Sequence, residues 1–205
     1  VILVDAVDLT VTRPDRALFD GLSLTISSGD RVGVVGINGT GKSTLLRVLA
    51  GTVEPERGEI RFGRGVRISV LDQEAPLPPG TVLEAVAAAG RADQRWEAEE
   101  VLQRLGMGGH LDRSTDSLSG GEAKRVALAA ALVSGPMGSA DLLILDEPTN
   151  HLDLQSIEWL ENRLAGHRGG LVLVTHDRHL LDRLTNRMVE LDRGRAHVHR
   201  DGYAG

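Results

Sequence analysis

The chain has 205 residues, 41% hydrophobic and 25% charged, the balance of a globular domain rather than a disordered segment. A net charge of −6 argues against a broad basic face for wrapping nucleic acid, and the lack of cysteine excludes a disulfide framework and a thiolate metal site. No apolar run approaches the roughly 20 residues a membrane helix needs, and no signal peptide is visible, so a cytoplasmic protein without membrane insertion is expected. The first residue is Val1 rather than Met, as in an excised or processed piece. Only 2% of residues are aromatic, so Val, Leu, Ile and Ala must build the core.

Val1 to Val11 alternates apolar and polar residues as an opening strand, and Arg13-Pro14-Asp15-Arg16 reads as a turn. Leu22, Leu24 and Ile26 alternate with Ser23, Thr25 and Ser27 in a half-buried strand. Val32 to Val35 is a β-branched, buried strand, followed by a helix from about Lys42 that stops at Ala50-Gly51. Glu54 to Gly58 is a turn, and short strands are expected over Glu59–Phe62 and Val66–Leu71. Thr81 is placed to cap a helix running to Ala89, and Trp96, Val101, Leu102 and Leu105 mark the apolar face of another. Gly106 to Ser117 is loop-like. Leu118 to Glu122 opens a helix carrying Val126, Leu128, Ala129 and Leu132. Leu142 to Leu145 is a wholly apolar strand, as at the centre of a parallel sheet. Leu154, Ile157, Leu160 and Leu164 share a helix face; a strand over Leu171–Val174, a short helix and two strands close the chain. Strands alternating with helices predict an α/β fold with a mainly parallel sheet.

Between the Val32–Val35 strand and its helix lies G-x-x-x-x-G-K-S, from Gly36 to Ser43. Strand, glycine loop and helix in that order make a phosphate cradle. Glycines let successive N–H groups turn toward a phosphate, and the helix start adds its positive dipole end. The nucleotide-binding set is Gly36, Asn38, Gly39, Thr40, Gly41, Lys42, Ser43 and Thr44. Lys42 carries a mobile charge for β- and γ-phosphates, and the Ser43 hydroxyl suits Mg²⁺. The apolar strand at Leu142 ends in Asp146-Glu147, where ligands of open α/β sheets collect. Asp146 is suited to Mg²⁺, directly or through water, and Glu147 to orienting and deprotonating an attacking water.

With those residues in place the chain resembles an ABC-type ATPase domain over essentially its whole length. Gly36 to Ser43 looks like a Walker A motif, Leu142 to Glu147 like Walker B with its glutamate, and Leu118-Ser119-Gly120-Gly121-Glu122 like the ABC signature. Gln73 matches the Q-loop and His176 the switch histidine. Asp146-Glu147-Pro148-Thr149-Asn150-His151-Leu152-Asp153, Val174 to Arg178 and the closing Glu190 to Gly194 with Gly202-Tyr203 resemble the ABC-F family in particular.

The resemblance implies a P-loop NTPase core over 1–79 and 136–205, with an N-terminal antiparallel β-subdomain, and a small helical subdomain over 80–135. It implies ATP and Mg²⁺ as ligands, with Ser43, Gln73 and Asp146 toward the metal and Glu147 and His176 as catalytic residues. It implies a sandwich in which Ser119, Gly120, Gly121 and Glu122 face the nucleotide of a second ABC domain or a homodimer mate. Asp153 would lie in the loop crossing to that partner, though it reads equally as a helix N-cap. Standing alone, His176 would read as a satisfied loop histidine. Asn150 and His151 are expected to be structural or interface residues. An isolated domain, holding half of each composite site, should bind ATP but hydrolyse it poorly. ABC-F proteins carry two ABC domains and bind ribosomes near the tRNA exit site, which implies ribosome, rRNA and tRNA as partners. The closing pattern is more like that of a first domain, and the short 81–105 insert has no room for a long ribosome-contacting arm.

The sequence departs from the family at several points. Glu122 stands where glutamine is commoner, Ala130 where arginine is frequent, and Gly135–Ser139 is longer than the usual connection. The aromatic that would stack on adenine is missing. Arg13 falls near that place and could stack in its stead, or Phe19 could shift in, and weak base selectivity follows. Two rival functions stay open at this level: an ATPase subunit of a membrane transporter, against which Thr149 to Asp153 speaks, and a DNA-repair or assembly ATPase.

Overall fold

The computed structural model describes residues 1–37, 39–72, 74–90, 95–133 and 140–200. Two sheets organise them. β1 (Ile2–Arg13) and β2 (Arg16–Ser27) form a long hairpin, and β4 (Arg57–Phe62) adds antiparallel to the other side of β1, giving the order β2-β1-β4. The second sheet runs β5 (Ile68–Leu71), β6 (Leu142–Asp146), β7 (Gly170–Val174), β3 (Arg31–Val35), β8 (Arg187–Asp192), β9 (Arg195–His199). Its first five strands are mutually parallel, and only β9 pairs antiparallel, on β8.

The unbroken apolar runs of β6 and β7 follow from burial on both sheet faces. Leu143, Leu145, Leu171 and Leu173 point into one core, shared with the helical subdomain, while Leu142, Ile144, Val172 and Val174 point into another, shared with the antiparallel sheet and α1 (Lys42–Leu49). Alternation at period two thus lets one strand serve two cores.

The helical subdomain holds α2 (Val82–Ala89), α3 (Arg95–Arg104) and α4 (Gly120–Val133), with α2 and α3 both packed on α4. Thr81 caps α2 in a reciprocal box: its hydroxyl accepts from the Glu84 N–H at 3.2 Å and the Glu84 carboxylate accepts from the Thr81 N–H at 2.9 Å. The Gly106–Ser117 stretch contains two single 3₁₀ turns. α5 (Leu154–Ala165) and α6 (Arg178–Leu184) flank β7, and Arg31 donates to the carbonyls of Leu164, Ala165 and His167 where α5 ends.

Two expected core residues and one candidate stacking residue sit elsewhere. Trp96 is 62% exposed, and the buried face of α3 is instead Ala98, Val101 and Leu102. Leu154 is 80% exposed because it lies in the first turn of α5, beyond the edge of the core that receives Leu160 and Leu164. Phe19, offered as a substitute for the adenine-stacking aromatic, is fully buried between the sheets and cannot shift into a nucleotide site without opening the core. The expected Gly135–Ser139 loop and Gly202-Tyr203 lie outside the described residues.

Candidate nucleotide and hydrolysis site

Because β3, β5, β6 and β7 are parallel and adjacent, everything that follows them in the chain emerges on one edge of the sheet. The glycine loop follows β3, Asp72 follows β5, Asp146 and Glu147 end β6, and Thr175-His176 follow β7. Residues more than 130 positions apart in the chain therefore meet.

The loop bends at Gly39 (φ 82°) and Gly41 (φ 94°), left-handed conformations that L side chains rarely adopt. A Cβ on Gly41 would also lie 2.9 Å from that of Leu18 on β2. Gly41 is the N-cap of α1 and makes no side-chain cap, so the first N–H groups of the helix stay open to an anion. Thr40 donates its hydroxyl to the Ile37 carbonyl at 2.7 Å, and Arg16 donates to the Gly39 carbonyl at 2.8 Å. Lys42 folds its ammonium back onto the Gly36 carbonyl. Burial lowers the pKa of Lys42, against the pull of Glu147 and Asp146.

From the first turn of α1, Ser43 donates its hydroxyl to the Asp146 carboxylate at 2.8 Å. Burial raises the Asp146 carboxyl above its ordinary range, with the Ser43 bond opposing. Glu147 is raised for the same reason, chiefly burial, with His176 opposing. His176 Nε2 lies 3.2 Å from Glu147 Oε1, the histidine exposed and the glutamate largely covered. Two adjacent carboxyls whose burial disfavours their charge, beside a hydroxyl, are hard oxygen donors that gain from a cation, and this set fits Mg²⁺. Glu147 itself has φ 48°, a left-handed strain at the point where its side chain turns into the site. A cavity of about 240 Å³ is lined by Arg13, Gly39, Lys42, Ser43, Asp146 and Glu147, with Thr44 also on its wall. The structure thus brings together the loop glycines, Lys42, Ser43, Thr44, Arg13, Asp146, Glu147 and His176. Asn38 and Gln73 lie outside the described residues.

The signature stretch lies apart, at the start of α4. Glu122 N–H donates to Ser119 Oγ at 3.1 Å, and Ser119 N–H donates to Glu122 Oε1 at 3.0 Å. This second capping box explains the glutamate: it closes the box and also takes Arg113, at 2.9 Å. The Glu122 carboxyl is held down to about 2, first by the Ser119 N–H and then by the Ser119 hydroxyl and Arg113. Asp153 is the N-cap of α5, accepting from Ser156 N–H at 2.8 Å. Two residues before it, His151 (φ 65°) stands against Gly121, where an added Cβ would lie 3.2 Å from its Nδ1. Hence the carboxylate loop and the signature helix touch within one domain.

Sequence reading missed Arg16, which braces the loop, Arg113, which pins Glu122, and Arg47. Arg47 stands four residues after Ser43 on the same helix, a spacing that places both on one face. For Arg16 and Arg113 no local pattern exists.

A family profile described as ABC transporter matches residues 19–150. The chain is 38% identical to the tylosin resistance ATP-binding protein TlrC of Streptomyces fradiae, over 93% of this chain and 42% of that protein. It is 34% identical to the energy-dependent translational throttle protein EttA of Mycobacterium tuberculosis, over 93% of this chain and 40% of that protein. The chain therefore spans about two fifths of the length of these curated relatives. Among solved structures, the dimeric post-hydrolysis state of the ATP-binding cassette MJ0796 bound to ADP and Pi superposes with a TM-score of 0.81 at 25% identity, covering 97% of this chain and 98% of that one. Among the described residues no helix is long and apolar enough to cross a membrane. Loop, paired carboxylates, signature helix and matched profile agree, and the chain belongs to the ABC transporter family as an ABC-type ATPase domain of the ABC-F kind.

Proposed function

We propose that this domain binds Mg²⁺-ATP on the Gly36–Ser43 loop, hydrolyses it when paired with a second ABC domain, and serves a protein that acts on the ribosome in translation or antibiotic resistance. The observation that carries the catalytic part is the convergence of Lys42, Ser43, Asp146 and Glu147 on one cavity, with His176 at its side 3.2 Å from Glu147. In this reading Lys42 leaves the Gly36 carbonyl for the β- and γ-phosphates, and the open N–H groups of α1 hold the β-phosphate. Ser43 and Asp146 hold the metal, which when bound neutralises phosphate charge. Glu147, raised by burial yet balanced by His176, takes the proton of the attacking water, and His176 orients Glu147 and reaches the γ-phosphate. Arg13 offers its guanidinium plane to the base in place of an aromatic ring.

The signature helix start is exposed at Ser119 and Gly120, which suits a role toward a partner's γ-phosphate. The dimeric ADP- and phosphate-bound cassette that the chain superposes on supports that pairing. The units are a core of 1–79 and 136–205 and a helical subdomain of 80–135. The names of TlrC and EttA support resistance and translation as the setting.

The test uses Glu147→Gln in the full-length protein. Single-turnover hydrolysis is expected to fall by about 10²- to 10⁴-fold, the span of a general base, with ATP still bound. Hydrolysis at the parent rate would show that Glu147 is not the base. With ATP, the variant is expected to co-sediment with ribosomes and to dissociate as salt rises, because phosphate contacts dominate RNA binding. Absence from ribosomal fractions at moderate salt would refute the ribosomal setting, and co-purification with membrane-spanning subunits would replace it with the transporter reading.

A further inference from the structure

We propose that Arg47 is a positioning residue that couples the nucleotide-loop helix to the segment entering the helical subdomain; this rests on the nucleotide-binding reading of the Gly36–Ser43 loop. Arg47 donates Nε to Asp72 Oδ2 at 2.9 Å, Nη2 to Asp72 Oδ1 at 3.1 Å, and Nη2 also to Glu74 Oε2 at 2.7 Å. One guanidinium therefore holds the two carboxylates that flank Gln73 in the chain, and Glu74 N–H closes the loop by donating to Asp72 Oδ1 at 3.0 Å. Only a planar fork serves both acidic groups in this way.

Position gives the clamp its consequence. Ser43 and Arg47 are four residues apart on α1 and share a face. One binds Asp146 at the end of β6, and the other binds Asp72 just past the end of β5. β5 and β6 are paired with Leu71 opposite Leu145, so Asp72 and Asp146 leave the sheet side by side. Like charges there repel: Asp72 pushes the Asp146 carboxyl up, while Arg47 draws it down. Arg47 thus fixes and neutralises Asp72 beside the Ser43–Asp146 pair, and any shift of α1 on nucleotide binding is passed to residue 72 and onward. The segment after it, through Ala75, Pro76 and Leu77, lines a cavity of about 370 Å³ between the catalytic carboxylates and α4. It is the covalent path into the helical subdomain.

Amide hydrogen exchange of the full-length protein, with and without ATP, tests the coupling. Measured in EDTA and in Mg²⁺, it reads segments rather than turnover. In the parent, ATP is expected to slow exchange at 36–46 and, by about 10-fold, at 74–77. In Arg47→Ala, protection of 36–46 is expected to persist while that of 74–77 falls below about twofold. Arg47→Lys, which can hold one carboxylate but not two, should fall between. Asp72→Asn with Glu74→Gln should reproduce the loss, and adding Arg47→Ala to that pair should cost nothing more, because all three act through one clamp. Equal protection of 74–77 in parent and Arg47→Ala, or additive losses, would overturn the proposal. Loss of protection at 36–46 as well would overturn it by reducing Arg47 to general support of α1. A parent that shows no ATP-dependent protection at 36–46 would instead sink the nucleotide-binding reading itself. Should Arg47→Ala not fold, the lysine and paired-amide variants carry the same comparison.

Discussion

The glycine loop and the signature helix both present the start of a helix, yet they are finished in opposite ways. At α1 the N-cap is Gly41, which has no side chain to satisfy the first N–H groups; Lys42 and Ser43 are drawn to a carbonyl and a carboxylate. At α4 the Ser119 hydroxyl and Glu122 carboxylate close a capping box, and Arg113 seals its outer side. An uncapped helix start beside two carboxyls whose burial disfavours their charge gains from an anion and a cation that complete it. A capped one on the surface is already stable, and can meet a ligand only as a preformed edge. The first end is built to be filled, the second to be brought to something. His151 against Gly121 and the strained Glu147 four residues earlier put the two ends on one short loop.

Three substitutions break this comparison at different points, taken from the largest effect down. Lys42→Ala removes a charged contact worth about 1.5–3 kcal/mol, so ATP affinity of the protein should fall by roughly 10- to 100-fold in titrations with a fluorescent ATP analogue, with little change in melting temperature. An unchanged affinity would mean that the ammonium stays on the Gly36 carbonyl when nucleotide binds. Ser119→Ala should do the reverse, costing about 1 kcal/mol of stability in urea unfolding through the lost cap and leaving single-domain ATP affinity alone. A fall in that affinity would place the signature within its own domain's nucleotide site. The smallest effect is that of Glu122→Gln. A glutamine keeps the geometry of the box but not the charge that Ser119 and Arg113 hold. Because the folded carboxyl sits near 2, below its ordinary range, its contribution is fully present above that range and is lost as pH falls toward 2. The melting temperature of the parent should therefore exceed that of Glu122→Gln at pH 7, and the gap should narrow steadily on acidification. A gap independent of pH would mean that the charge Glu122 presents to Ser119 and Arg113 contributes nothing.

Much of this was readable in one dimension because it is local. Thr81 before the Val82–Ala89 run marks a helix N-cap, the β-branched run before Gly36 marks a buried strand, and the Gly36–Ser43 spacing marks a phosphate loop. Each depends on chain geometry over fewer than ten residues. Trp96 and Leu154 were misread because helical periodicity reports which residues share a face, not where the neighbouring core ends. Phe19 was misread in the opposite sense: an aromatic near the site in sequence is held by two sheets away from it in space. Leu118 to Glu122 reads as the opening of a helix, but Arg113, nine residues before Glu122, joins it only across the 3₁₀ turn at Thr115–Ser117.

By itself the sequence determined the elements and the order of the motifs, since these follow from short-range stereochemistry. The tertiary structure alone decided which of those motifs share a site. Parallel pairing of β5, β6, β7 and β3 places Asp72, Asp146, His176 and the glycine loop on one edge, and the pitch of α1 sends Ser43 to one carboxylate and Arg47 to two others. Motif resemblance alone pairs Ser43 with Asp146 in the chain, and nothing in it pairs Arg47 with Asp72 and Glu74, because each contact joins residues whose separation in sequence says nothing of their distance in the sheet.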